Sequence, residues 1–107
     1  MKITNRTRFF GMLGFAMRAG KVNTGADIIA RELPLRTVKL VIVSSEASDA
    51  TRKRMRTKCE FYKVKFAEID VSVEDLSAHL GKISSTVCVG IKDDGFANEI
   101  IKVLYSE

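Results

Sequence analysis

The sequence predicts an α/β domain with helices on both faces of a small sheet. Three observations point there. Apolar, β-branched runs of strand length stand at 38–43, 64–69 and 87–91. Segments with apolar residues at helical spacing stand between and around them. Ser, Thr, Gly and Pro punctuate the junctions where helices begin and end. Strands alternating with helices bury a sheet between two helical layers.

The elements follow in chain order. Residues 7–19 form a helix with Phe9, Phe10, Leu13, Ala16 and Met17 on one side, stopped by Gly20. Residues 21–23 are a short extended link. Thr24 is expected to cap a second helix, with Asp27 as its capping-box partner. Ile28, Ile29 and Leu33 give that helix its apolar face, and Pro34 ends it. The near-continuous apolar run at 38–43 suits a central strand covered on both faces. Residues 44–48 turn the chain into a helix over 49–61, with Ala47 or Ala50, then Met55, Cys59 and Tyr62 facing inward. A strand at 64–69 leads to a helix whose Ser72-Val73-Glu74-Asp75 start repeats the capping pattern and whose stop is Gly81. A second buried strand at 87–91 precedes a last helix over 94–104, with Phe96, Ala97, Ile100, Ile101 and Leu104 at helical spacing. There is no internal repeat, low-complexity tract or linker, so 1–107 reads as one domain.

Charge is divided unequally along the chain. Residues 1–65 hold fifteen Lys and Arg against five Asp and Glu, a net +10; residues 66–107 hold three against eight, a net −5. With a sequence pI near 9.4, the basic part suits a polyanionic partner, nucleic acid or an anionic membrane surface. The longest apolar stretch, residues 40–43, falls far short of the ~20 residues of a membrane span. The first residues lack an apolar signal core, so a cytoplasmic location is expected. Cys59 and Cys88 stand apart, outside any Cys-x-x-Cys, and with one His they offer no metal-ligand spacing. Cys88 reads as a buried small hydrophobe; Cys59 fits either the core or a partly exposed position.

Enzyme signatures are missing: no GxGxxG, Walker loop, GxSxG or HExxH. His79 lacks a Ser, Cys or second His at an interpretable distance and reads as structural. Asp93 and Asp94 complement the dipole of the last helix. Neither a catalytic group nor a cofactor or small-molecule substrate is expected. The densest cationic run is Arg52-Lys53-Arg54-Met55-Arg56-Thr57-Lys58. It reads equally as a solvated face, a reading weakened by the lack of acids inside the run, or as an auxiliary phosphate contact.

The stretch from Gly14 to Gly25 is the most specific. Lys21 precedes the second helix, Gly25 sits in its first turn, and Arg31 stands further along it. Helix N-terminal N–H groups favour an anion, and glycine lets a phosphate or base edge reach the backbone.

This stretch resembles the opening of the kink-turn-binding ribosomal-protein family, and most closely its small bacterial, YlxQ-like branch. Leu13 through Lys21 is similar to that branch's Leu-Gly-x-Ala-x-Arg-Ala-Gly-Lys signature. Lys39 through Ser48 resembles its strand and acidic turn, and Thr57 through Tyr62 its Asp-Lys-Cys-x-Tyr-Tyr helix end. Leu80-Gly81-Lys82 and Lys92 through Ala97 match the last two landmarks. The resemblance implies a three-layer α/β/α sandwich around a mixed four-stranded sheet, and RNA binding without catalysis. It implies that Thr24, Gly25, Ala26, Asp27 and Arg31 enter a widened RNA major groove. Glu46 and Ser48 would lie on a supporting turn. Gly81, Lys82 and Ile83 would form a loop that covers a flipped-out nucleotide. Arg18, Lys21 and the run beginning at Arg52 would supply phosphate contacts. Specific readers of RNA target such distorted regions, because an undistorted A-form major groove is too narrow for side chains.

The likeness breaks at two places: on the fourth helix, where a basic residue of the family falls at Ala78 beside His79, and at the helix entry. Where the family carries Gly-x-Asn-Glu, this chain has Gly25-Ala26-Asp27-Ile28. Asp27 accepts hydrogen bonds but cannot donate one as Asn does, and Ile28 does neither. Two functions therefore stand: recognition of structured, kink-turn-like RNA, ribosomal or other, on or near the ribosome; or a protein-interaction module of the ribosome or transcription machinery that has lost base readout.

Overall fold

The computed structural model describes residues 3, 5–81 and 85–105. Its elements run α1 (Arg6–Arg18), β1 (Val22–Thr24), α2 (Ala26–Glu32), a 3-10 turn (Leu33–Leu35), β2 (Leu40–Ser44), α3 (Asp49–Tyr62), β3 (Lys65–Ile69), α4 (Val73–His79), β4 (Cys88–Ile91) and α5 (Asp94–Tyr105). The four strands form one mixed sheet in the order β1-β4-β2-β3. β2 and β3 are parallel, and β4 runs antiparallel to both β1 and β2.

The pleat of β2 sorts the core. Leu40 and Ile42 face one side with Phe9, Leu13, Ile69, Leu76, Ile91 and Ile100, under α1, α4 and α5. Val41 and Val43 face the other side with Ile29, Leu33, Met55, Cys59 and Cys88, under α2 and α3. Every residue of β2 is buried, as a central strand with helices on both faces requires. This is the expected α/β/α sandwich.

Two local expectations change. Residues 22–24 form a strand and not a link, because Val22, Asn23 and Thr24 pair with Ile91, Gly90 and Val89 of β4. Thr24 is thus held in the sheet and does not cap α2; the N-cap is Gly25, with no side-chain cap bond. The helix end does agree: α2 stops at Glu32, just before Pro34, which sits inside the 3-10 turn. The seat of α2 depends on Gly90: a Cβ there would stand 3.2 Å from Ile29 Cγ1 and 3.4 Å from Val38 Cγ1. The missing side chain lets the helix lie close on β4.

Candidate nucleic-acid interface

Strand polarity gathers three loops at one end of the sheet. β1 and β2 both run antiparallel to β4, so Thr24, Ser44 and Cys88 end or begin at the same edge. Two bonds fix them there: Gly25 N–H donates to the Cys88 carbonyl at 3.2 Å, and Ser44 N–H donates to the Val87 carbonyl at 2.9 Å. Ser45 N–H donates to the Ile69 carbonyl at 2.8 Å and brings the end of β3 to the same edge.

The tip of α2 is the open part of this edge. Gly25 holds φ 100° and ψ 131°, a conformation that side-chain-bearing residues rarely adopt. A Cβ there would meet nothing within 4 Å, so the backbone and not crowding requires glycine. Without a side-chain cap, the first-turn N–H groups of α2 are left available to an incoming acceptor. Asp27 does not act as a capping-box partner. Its exposed carboxylate accepts a 2.7 Å bond from Arg54 of α3, and the Arg54 guanidinium holds the Asp27 pKa below its ordinary value. Arg31 is exposed, forms no ion pair among the described residues, and also lowers Asp27 through its charge. Ile28 is 43% exposed beside Asp27.

The other expected residues divide by position. The Glu46 carboxylate accepts the Val73 N–H at 2.8 Å, which caps α4. Ser48 accepts the Thr51 N–H at 3.1 Å and caps α3. Both residues brace the edge. Buried Ser44 adds a link that the sequence did not reveal: its hydroxyl donates to the Val71 carbonyl at 2.6 Å and accepts the Glu46 N–H at 3.1 Å. Gly81 ends α4 in the left-handed region, at φ 68°. Lys82 and Ile83 lie outside the described residues.

The cationic run of α3 is mostly neutralised. Arg52 pairs with Asp49 and, at 3.4 Å, with Glu68 of β3; Arg56 reaches the same Glu68 at 3.3 Å. The acids missing from the run come from its own first turn, from a neighbouring strand and, for Arg54, from α2. Arg52 is therefore committed to the fold. Arg18 and Lys21 are not with the α2 tip either. Lys21 precedes β1, a strand run of about 13 Å from Gly25, and its carbonyl accepts the Lys92 N–H at 2.8 Å on the opposite edge. Arg18 ends α1 with its guanidinium 4.8 Å over the Phe15 ring. Arg54, named in the sequence only as part of the run, is the cation at the tip.

His79 is structural: its Nδ1 lies 2.8 Å from the Asp75 carbonyl, and its ring stacks on Phe10 at 3.8 Å. Cys59 belongs to the core with Cys88. Among the described residues no three His, Cys, Asp or Glu side chains stand together as metal ligands, and no helix is long and apolar enough to cross a membrane.

Comparison with known proteins places these features in a family. Residues 7–101 match the model of the ribosomal protein L7Ae/L30e/S12e/Gadd45 family. The chain is 38% identical over 96 residues to the RNA-binding protein YlxQ of Bacillus subtilis (strain 168), covering 90% of this chain and 94% of that one. It is 33% identical over 95 residues to the RNA-binding protein YlxQ of Enterococcus faecium, covering 89% of each. A protein of unknown function from Bacillus halodurans C superposes with TM-score 0.84 and 29% identity, over 91% of this chain and 96% of that one. The Giardia lamblia 15.5kD RNA binding protein shares the fold, with TM-score 0.77 and 17% identity over 95% of this chain and 88% of the other.

Proposed function

Since the chain belongs to the ribosomal protein L7Ae/L30e/S12e/Gadd45 family, a non-enzymatic one, we propose that it is a cytoplasmic, single-domain RNA-binding protein that recognises structured, kink-turn-like RNA, ribosomal or ribosome-associated. The observation behind this reading is the α2 tip. Its glycine-capped first turn leaves backbone donors open, Arg31 is unpaired among the described residues, and the edge is braced by Ser44, Glu46 and Ser48. Gly25, Ala26 and Asp27 would approach a widened groove. Arg31 would reach a phosphate or the O6 and N7 of guanine. Gly81, Lys82 and Ile83 would cover an unstacked base.

Filter binding with kink-turn, plain-duplex and single-stranded RNA at two salt concentrations tests this. The kink-turn RNA binds most tightly. Arg31→Ala weakens it by about tenfold or more, the scale of one lost guanine or phosphate contact. Lys102→Ala, at a residue already 3.3 Å from Glu99, changes it little. Equal, weak binding to all three RNAs contradicts the kink-turn reading, and no binding at low salt contradicts RNA binding itself.

The exposure of Ile28 supports a second reading, a protein partner seated on the same edge. Partners captured by the tagged protein that persist after nuclease treatment favour it; partners that vanish favour RNA.

A further inference from the structure

The edge opposite the α2 tip holds a denser collection of cations. In sheet order, its four strand ends carry Lys21 before β1, Lys92 after β4, Lys39 before β2 and Lys65 at the start of β3. The register joins them directly. Lys92 N–H donates to the Lys21 carbonyl at 2.8 Å, Lys39 N–H donates to the Ile91 carbonyl at 2.7 Å, and Leu40 pairs with Lys65. Strands lie about 4.8 Å apart, so this lysine row spans about 14 Å. Two further cations sit beside it at the ends of the 3-10 turn and α3: Arg36 and Lys63, both with left-handed backbone.

These charges are not spent on carboxylates. Among the described residues none of the six forms an ion pair with an acid. Arg36 donates to the Tyr62 carbonyl at 2.9 Å, and Lys39 Nζ donates to the Arg36 carbonyl at 3.0 Å. Both bonds hold the groups in place and leave their charge uncompensated. Arg36, Lys39, Lys63 and Lys65 line a cleft of about 240 Å³ with Val38, Val64 and one acid, Asp94. A second nearby carboxylate, Asp93, caps α5 through the Phe96 N–H at 2.9 Å. A third carboxylate, Glu32, accepts the Thr37 hydroxyl at 3.1 Å, so six cations stand here against three acids and the edge stays positive. By contrast, Arg52, Arg54 and Arg56 on the flank of α3 are all paired with acids. Just beyond the cleft, Phe61 in the last turn of α3 is 76% exposed.

We propose that this lysine edge is a second RNA-contact surface, which holds a single-stranded segment flanking the structured element bound at the α2 tip. A row of cations at regular steps fits a linear polyanion. An exposed aromatic ring beside a cationic track is the arrangement on which unpaired bases stack. The proposal shares with the function above the premise that the partner is RNA, but it does not depend on which element reads the kinked part.

The test is fluorescence anisotropy with labelled oligouridine, run beside a kink-turn RNA that lacks overhangs. Two charge-reversal pairs probe the two ends of the row: Lys63→Glu with Lys65→Glu, and Lys21→Glu with Lys92→Glu. Each pair should weaken oligouridine binding by about tenfold. It should also reduce the salt slope by about 1.4, since each lost single-strand phosphate contact contributes about 0.7. Binding of the overhang-free kink-turn RNA should stay within about twofold. Arg31→Ala should do the reverse. If both lysine pairs leave oligouridine binding unchanged, if wild type does not bind oligouridine, or if Arg31→Ala abolishes oligouridine binding equally, the second surface does not exist. If Arg31→Ala spares kink-turn binding while the lysine pairs still weaken oligouridine, the α2 site is wrong and the lysine edge stands.

Discussion

Asp27 concentrates the chemistry of the α2 tip in one side chain. It is an anion where a phosphate or a guanine edge would arrive, and it is tolerable because the Arg54 guanidinium 2.7 Å away offsets its charge. Asp27→Asn removes the repulsion, releases Arg54 and supplies the donor that the family has at this position. Kink-turn binding should tighten by about tenfold, the order of one well-made base contact, in the same filter assay. Weaker binding would mean that the Asp27–Arg54 pair itself makes the contact. The two thiols give a prediction of another kind. Burial, then the nearby Cys88, pushes Cys59 up to about 12; burial pushes Cys88 up to about 11, both from an ordinary 9.0. The folded state favours the protonated thiols, so this contribution is complete below pH 9 and is lost as pH rises through 11 to 12. Native protein at pH 8 should resist iodoacetamide until denaturant is added, and thermal stability should fall above pH 9, less steeply in Cys59→Ala.

Individual elements are positioned by caps and turns whose removal should separate stability from binding. Ser48→Ala removes the cap of α3 and should cost about 1 kcal/mol in urea unfolding, with kink-turn affinity reduced far less than by Arg31→Ala. Gly25→Ala forces a side chain into φ 100°, costs about 1–3 kcal/mol, and should also reduce affinity because the first turn of α2 shifts. The elements legible in the sequence were all but one: α1, α3 and α5 by their period, β2, β3 and β4 by their apolar runs, α2 and α4 by the Ser, Gly and Pro that flank them. β1 was not, because three residues of intermediate burial carry no pattern; β4 makes it a strand. The same pairing overturned Thr24 as a cap. Gly25 was singled out as a place where a phosphate or base edge could reach the backbone; its φ of 100° shows only in the fold. The neutralisation of Arg52 and Arg56 was invisible, because Glu68 lies in a different element and meets them only through the fold. Lys21 was misplaced for a related reason: nearness in sequence to Gly25 hides that an extended strand carries the two to opposite edges.

Seen as a whole, the molecule uses the excess charge of its first part in two ways. The α3 flank spends it internally, on Asp49, Asp27 and Glu68. Arg31 near one edge and the lysine row on the other form no ion pair among the described residues, and neither do Lys53 and Lys58 of α3. Net charge alone therefore overstates the binding surface, and the salt dependence should reflect the uncompensated cations only. Duplex phosphate contacts contribute about 0.9 each to the slope of log affinity against log salt. Arg52→Ala should leave that slope unchanged, whereas Arg31→Ala should lower it by about one phosphate; equal effects would mean that the internal ion pairs open on binding.

The most direct measurement is an amide chemical-shift titration of the isotope-labelled protein with a kink-turn RNA. The account predicts the largest movements at Gly25, Ala26 and Asp27, with smaller ones in 44–48, while the amides of α5 stay still. Shifts confined to α5 or to the α1 and α4 face, with the α2 tip unmoved, would contradict it.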